Sequence, residues 1–146
     1  MTITVWDGKK MVADKQATVC GTKMRVTKIH KINGSIIGVA GDHATAMALI
    51  EWFKNGKSPD KWPEIQKDKD RWSTMLEITP DRKIMRYEYE PYPFEVEEQF
   101  YAFGSGMDIA LGAMEMGADG VKAVEIASKY LYCCGMGYDI LELGND

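Results

Sequence analysis

Several residue types are scarce in this sequence, and each scarcity excludes something. Cysteine occurs three times in 146 residues, as Cys20, Cys133 and Cys134. The count is odd and the adjacent pair could close only a strained bridge, so a disulfide framework is not expected and a reducing cytoplasm is. Histidine is limited to His30 and His43, and no Cys/His spacing resembles a zinc site. No apolar run approaches the ~20 residues that a membrane helix needs. The opening Met1-Thr2-Ile3-Thr4 has no basic segment leading into an apolar stretch, so no signal peptide is expected. Positive charge does not dominate either: 18 basic against 22 acidic residues leave a net charge of −4, which argues against nucleic acid as the main partner. Phosphate-binding G-x-x-x-x-G-K-[ST] and nucleophile-elbow G-x-S-x-G motifs are missing. The acidic patch at 60–70 lacks the spacing and central glycine of a calcium loop and reads as solvated surface.

What is present is ordinary globular material: 45% apolar, 10% aromatic and 27% charged residues, enough for a sizeable core in one domain spanning 1–146. Asp7-Gly8 separates ITVW from KKMVADKQATV, and Asn33-Gly34 separates KMRVTKIHKI from SIIGVAG; both are hairpin signals. Asp42 is placed to cap a helix carrying Met47, Ile50 and Phe53, with Lys54 in its last turn and Gly56 as its stop. Residues 57–72 read as a polar surface connection with at most a short helix. STMLEIT and IMRYEYE flank a turn at Pro80-Asp81-Arg82-Lys83, and PYPFEVEEQ reads as an acidic loop. FYAFGSG is a strand entering a glycine-rich turn, GSGMD, that alone is only a weak anion-binding signal. A helical stripe of Met107, Leu111 and Met114 follows, then a helix capped by Asp119 and a last strand, YDILEL. Antiparallel strands with helices outside predict a layered α+β sandwich.

Thr2 is the residue with unusual chemistry. With Met1 removed, it would carry a nucleophilic hydroxyl and, as its own α-amine (pKa ~7.7–8.0), a general base suited to neutral pH. Position alone is weak support, since many proteins begin Met-Thr.

The order of MTITVWDGKKMVADKQAT, VTKIHKINGSIIGVAG, FYAFGSGMDIALGAM and CCGMGYDILEL resembles the proteasome β-subunit and HslV-type peptidases, within the N-terminal nucleophile hydrolases. It looks closest to the small proteasome-like proteins encoded by tailed bacteriophages and prophages. The resemblance covers almost the whole chain. It implies a four-layer αββα sandwich of antiparallel sheets and a threonine-type endopeptidase that needs no metal or organic cofactor. The catalytic residues it implies are Thr2 as nucleophile, Asp14 supporting a catalytic Lys28, Gly41 giving an oxyanion-hole N–H, and Ser105 orienting the threonine amine. Singly, each has a plainer explanation: a turn for Asp14, a solvated strand lysine for Lys28, helix-entry packing for Gly41, a helix N-cap for Ser105. The implied partners are further copies of the chain in rings, a peptide or unfolded-protein substrate and, without any motif specifying it, an unfoldase ATPase, with neither nucleic acid nor membrane involved. The Met-rich helix 105–117 and the acidic loop are the candidate contact surfaces.

The sequence departs from the family pattern where CCG replaces the polar motif before the last strand. Leu131 stands at the aspartate position and Cys134 at the serine position. A ring-forming scaffold that kept the fold without the activity, and a small-molecule amidase using the same nucleophile logic, are the alternatives.

Overall fold

The computed structural model describes residues 2–144; Met1, whose removal the expected role of Thr2 requires, lies outside the described residues. The chain forms two compact units, one from the residues up to His30 together with those from Glu98 onward, the other from Lys31–Glu97.

The first unit is built on an antiparallel sheet of order β10-β1-β2-β11, with β1 at Ile3–Trp6, β2 at Lys10–Asp14, β10 at Tyr101–Gly104 and β11 at Tyr138–Glu142. The Asp7-Gly8 turn joins β1 to β2 as expected, with Gly8 at φ 94°. Ile3, Val5 and Val12 point to one face, where Ala110 and Met114 of α2 (Met107–Glu115) and Ala123, Val124 and Ala127 of α3 (Gly120–Tyr130) cover them. Full burial of side chains of this kind contributes about 1.5–3 kcal/mol each for the larger ones. Asp119 caps α3 by accepting from the Lys122 N–H at 2.9 Å. A second carboxylate, Asp7, accepts the Gly120 N–H at 2.8 Å, so the first hairpin and the start of α3 are tied together across 113 positions of sequence.

The run KKMVADKQATV is not one strand. It breaks after Asp14, and Gln16–Val19 (β3) pairs instead with Thr22–Arg25 (β4) as a separate two-stranded ribbon. The turn between them, Cys20-Gly21, has both residues at positive φ.

The second unit carries the sheet β5-β6-β7-β8-β9, with β5 at Ile29–Ile32, β6 at Ser35–Gly41, β7 at Ser73–Ile78, β8 at Ile84–Tyr87 and β9 at Phe94–Val96. Helix α1 (His43–Lys54) packs on β6 and β7 through Ala46, Leu49, Ile50 and Phe53 against Ile37, Val39 and Met75. Asp42 caps it as expected, accepting from Thr45 N–H at 3.0 Å. Met47, expected on the buried stripe, is 37% exposed; Leu49 and Trp52 take its place, because the stripe that meets the sheet runs through 46, 49, 50 and 53. Two expectations fail. The 57–72 connection contains two 3-10 turns, Pro59–Lys61 and Glu64–Lys67, and buries Trp62 and Gln66. The Gln66 amide is consumed by backbone, donating to the Ser73 and Glu88 carbonyls and accepting from the Ser73 N–H, which is how a polar segment becomes interior. The acidic loop contains β9, which pairs antiparallel with β8.

Candidate active site

Asp14, at the end of β2, is the organising side chain of the first unit. It has no solvent exposure, and its two oxygens take four donors. Oδ1 accepts the Ile3 N–H at 3.0 Å and Lys28 Nζ at 2.8 Å. Oδ2 accepts the Gly135 N–H at 3.0 Å and the Gln16 N–H at 3.3 Å. Extending the β1–β2 register by one residue sets Ile3 opposite Asp14, so the carboxylate replaces the ladder acceptor that the departing strand no longer supplies. A buried carboxylate is tolerable only with such compensation. The plainer explanation of Lys28 does not hold: it is 7% exposed and ion-paired, where a solvated lysine would be mostly free.

Thr2 is 5% exposed and is held by its backbone. Its carbonyl accepts the Gly106 N–H at 3.3 Å, and Gly104, at φ 98°, lies so close that an added Cβ would stand 2.2 Å from that same oxygen. The first glycine of the GSG turn is therefore required by the approach of Thr2, whereas a Cβ on Gly106 would press on Ile3 and Ala127 at 3.0 and 3.2 Å. Ser105 sits between the two glycines, exposed, and its hydroxyl makes no hydrogen bond among the described residues. It is not the cap of α2; that position is Gly106, without a side-chain cap bond.

Cys134 and Leu131 lie in the segment that follows α3. Burial first, then the neighbouring Asp14 carboxylate and Cys133, push the Cys134 thiol up to about 12, so at neutral pH it is a protonated, unreactive group. Its sulfur lies 3.9 Å from that of Cys133. Leu131 is the C-cap of α3 and packs partly buried against the apolar cluster; a leucine there supplies packing and no acceptor.

Thr2, Asp14 and Lys28 are thus gathered in one unit, with Ser105 in the turn that clasps Thr2. Gly41 belongs to the other unit, at the end of β6 opposite Ser73. Its φ is 127°, and a Cβ would meet the Ser73 backbone and side chain and the Trp72 carbonyl at 2.8 Å, so only glycine fits. Helix-entry packing is not its reason. Two contributors escaped the sequence reading. Gly135 reaches Asp14 across 121 positions, which no local pattern signals. Gln16, 2% exposed, donates to the Tyr132 carbonyl at 3.0 Å and holds the same segment; its burial in an otherwise exposed ribbon could have been suspected only from its place next to the strand break. Among the described residues no group of three or more His, Cys, Asp or Glu could hold a metal ion. Nor is any helix among them long and apolar enough to cross a membrane.

This α+β chain of antiparallel sheets has the fold of the HslV and proteasome β-type N-terminal nucleophile hydrolases. Thiobacillus denitrificans BPH matches 100% of this chain with 100% of its own, at 21% identity and a TM-score of 0.71. In its complex with epoxomicin it matches 99% of this chain and 100% of its own at 20% identity and a TM-score of 0.70. HslV from Trypanosoma brucei matches over 96% of this chain and 97% of its own, at 22% identity and a TM-score of 0.71. At these identities the likeness is one of fold. No protein-family model matches the sequence, and no curated protein does.

Proposed function

We propose that this chain is the subunit of a proteasome- or HslV-like threonine peptidase, with Thr2 as nucleophile after removal of Met1. The observation that carries the reading is Asp14 Oδ1, which holds the amide next to Thr2 and the Lys28 ammonium at once. In the proposed reaction Thr2 Oγ1 adds to a peptide carbonyl carbon while its proton passes to the threonine α-amine. The tetrahedral oxyanion collapses to an ester and expels the amine of the cleaved bond, which leaves with that proton. Water, deprotonated by the α-amine, then hydrolyses the ester and restores Thr2. The Lys28 charge, fixed by Asp14, favours the deprotonated hydroxyl by its field. For Ser105 and Gly41 we carry over the orienting and oxyanion-donor roles on the resemblance alone, and no metal or organic cofactor is invoked for the chemistry.

The same reading includes one proteasome-like domain over 1–146, assembly of copies into rings that confine the sites, an unfolded or peptide substrate, an unfoldase ATPase as partner and a cytoplasmic location. Kinship with small phage-encoded relatives belongs to it as well. Full-length matches to the solved neighbours support the domain; the others rest on the resemblance. A ring-forming scaffold without activity is the second reading, favoured by Leu131 at a position where the family carries aspartate.

Intact mass and a fluorogenic peptide panel test the proposal. Expression in cells with methionine aminopeptidase is expected to yield protein lighter by Met1, which cleaves peptide and takes up epoxomicin. Thr2→Ala and Lys28→Ala are expected to reduce turnover by at least about a thousandfold, the scale lost when a nucleophile is deleted. Full retention of Met1, or wild-type turnover equal to that of Thr2→Ala, would leave the scaffold reading standing.

A further inference from the structure

The acidic segment near residue 90 is an edge, and the edge is not built only to repel. β9 closes one side of the five-stranded sheet: beyond its pairing with β8, at Arg86↔Phe94, Met85↔Glu95 and Ile84↔Val96, no described strand follows. An edge strand leaves every second residue's N–H and C=O without a ladder partner. Glu90, Glu95 and Glu97 are exposed on and beside it, and none forms an ion pair among the described residues. The one acidic neighbour that is paired, Glu88, is held by Arg86 at 3.3 Å.

Charge on an edge can serve merely to stop strands of two copies from pairing. That purpose does not account for the residues between the charges. Tyr89 is 44% exposed, Tyr92 72% and Phe94 50%, an aromatic group within a few residues of each free carboxylate. Tyr89 is also preorganised, its ring 4.6 Å from that of Trp72. Large amphipathic rings held open beside unpaired charge are what the buried centre and charged rim of a binding surface require. The sign of the charge selects the partner. A second copy of this edge would bring the carboxylates together, and nucleic acid or an anionic membrane surface would be repelled.

We propose that β9 and its aromatic flank dock an extended polypeptide segment of a partner protein, one that alternates lysine or arginine with apolar side chains and adds to the sheet as a further strand. Backbone pairing would supply the alignment, Tyr92 and Phe94 the apolar contact, and Glu90, Glu95 and Glu97 the complementary charge. The proposal does not depend on the peptidase reading and survives its failure.

The full-length protein can be tested with a labelled synthetic peptide of alternating Lys and Val, followed by fluorescence anisotropy at low and high salt, with hydrogen exchange mapping the site. Saturable binding that weakens with salt and protects amides at 94–97 is expected. Tyr92→Ser with Phe94→Ser should weaken it about tenfold or more, as loss of interface anchors does. Changing Glu90, Glu95 and Glu97 to Gln should flatten the salt dependence. All these side chains are exposed, so an unchanged thermal midpoint verifies that each variant is folded. The proposal is overturned by absence of saturable binding, by equal binding of a Glu-Val peptide, by protection that maps elsewhere, or by a Gln variant that self-associates while its peptide binding and salt dependence stay unchanged, which would assign the carboxylates to keeping copies apart.

Discussion

Gly104 illustrates how a glycine can be mistaken for a flexible hinge when it is a spatial requirement. Its positive φ alone disfavours a side chain, and the 2.2 Å separation between an added Cβ and the Thr2 carbonyl oxygen leaves nowhere for β1 to go. Gly104→Ala is therefore expected to cost about 2–3 kcal/mol, strain of the size that special backbone positions store. Gly112, inside α2 with nothing within 4 Å of its added Cβ, should instead gain about 0.5–1 kcal/mol on changing to Ala. Chemical unfolding of the two variants reads both signs. The cysteines separate equally well. Cys20 is exposed at a ribbon turn, whereas the Cys134 thiol is buried and pushed up to about 12. Brief iodoacetamide treatment of the native protein at neutral pH should alkylate Cys20 and spare Cys134, with peptide mass spectrometry locating the label. At this scale the sequence was readable only in part. The resemblance singles out Asp14 and Lys28, and the structure pairs them. That Asp14 would have to serve four donors was not legible, because two of them come from Ile3 and Gly135, brought together by folding.

Among the elements, the helices were more legible than the strands. Asp42 and Asp119 mark the starts of α1 and α3 because an N-cap carboxylate answers a purely local need, three residues away. Strand breaks have no such signature. KKMVADKQATV reads as one run because nothing in Asp14-Lys15-Gln16 shows that the chain changes sheet there, and Cys20-Gly21 turns without Asn or Asp. β9 hides among prolines and glutamates that a central strand would not tolerate but an edge does. The Asp7 contact joins two of these elements and is testable by pH. Burial would raise the Asp7 carboxyl, but Lys10 and the N–H groups of Lys10, Gly120 and Lys9 outweigh it and hold the group below the usual carboxylate range. Because its folded value is depressed, the stabilisation is complete above the ordinary carboxylate pKa and is lost as pH falls through the depressed one. Asp7→Asn should cost about 1–2 kcal/mol near neutrality, the scale of charge-assisted hydrogen bonds. It should also shallow the decline of stability with falling pH below about 4. Thermal unfolding across that range measures both.

For the molecule as a whole, the order of assembly matters. The first unit is made from the two ends of the sequence, and its sheet is finished by β11, whose residues pair with β2 across more than a hundred positions. A chain ended after Cys134 loses both that strand and the Gly135 donor to Asp14. It should fail to unfold cooperatively in its first unit, which hydrogen exchange of the 2–30 amides would show as lost protection. Contacts of this span are closed late and slowly.

Asp14 Oδ1 receives the first strand's amide and the lysine together, and this makes the carboxylate a checkpoint. A chain whose opening strand has not docked leaves the oxygen short of a donor and the ammonium without its fixed seat. A half-folded chain is thereby kept from seating its lysine: the ion pair arrives with the strand and leaves with it.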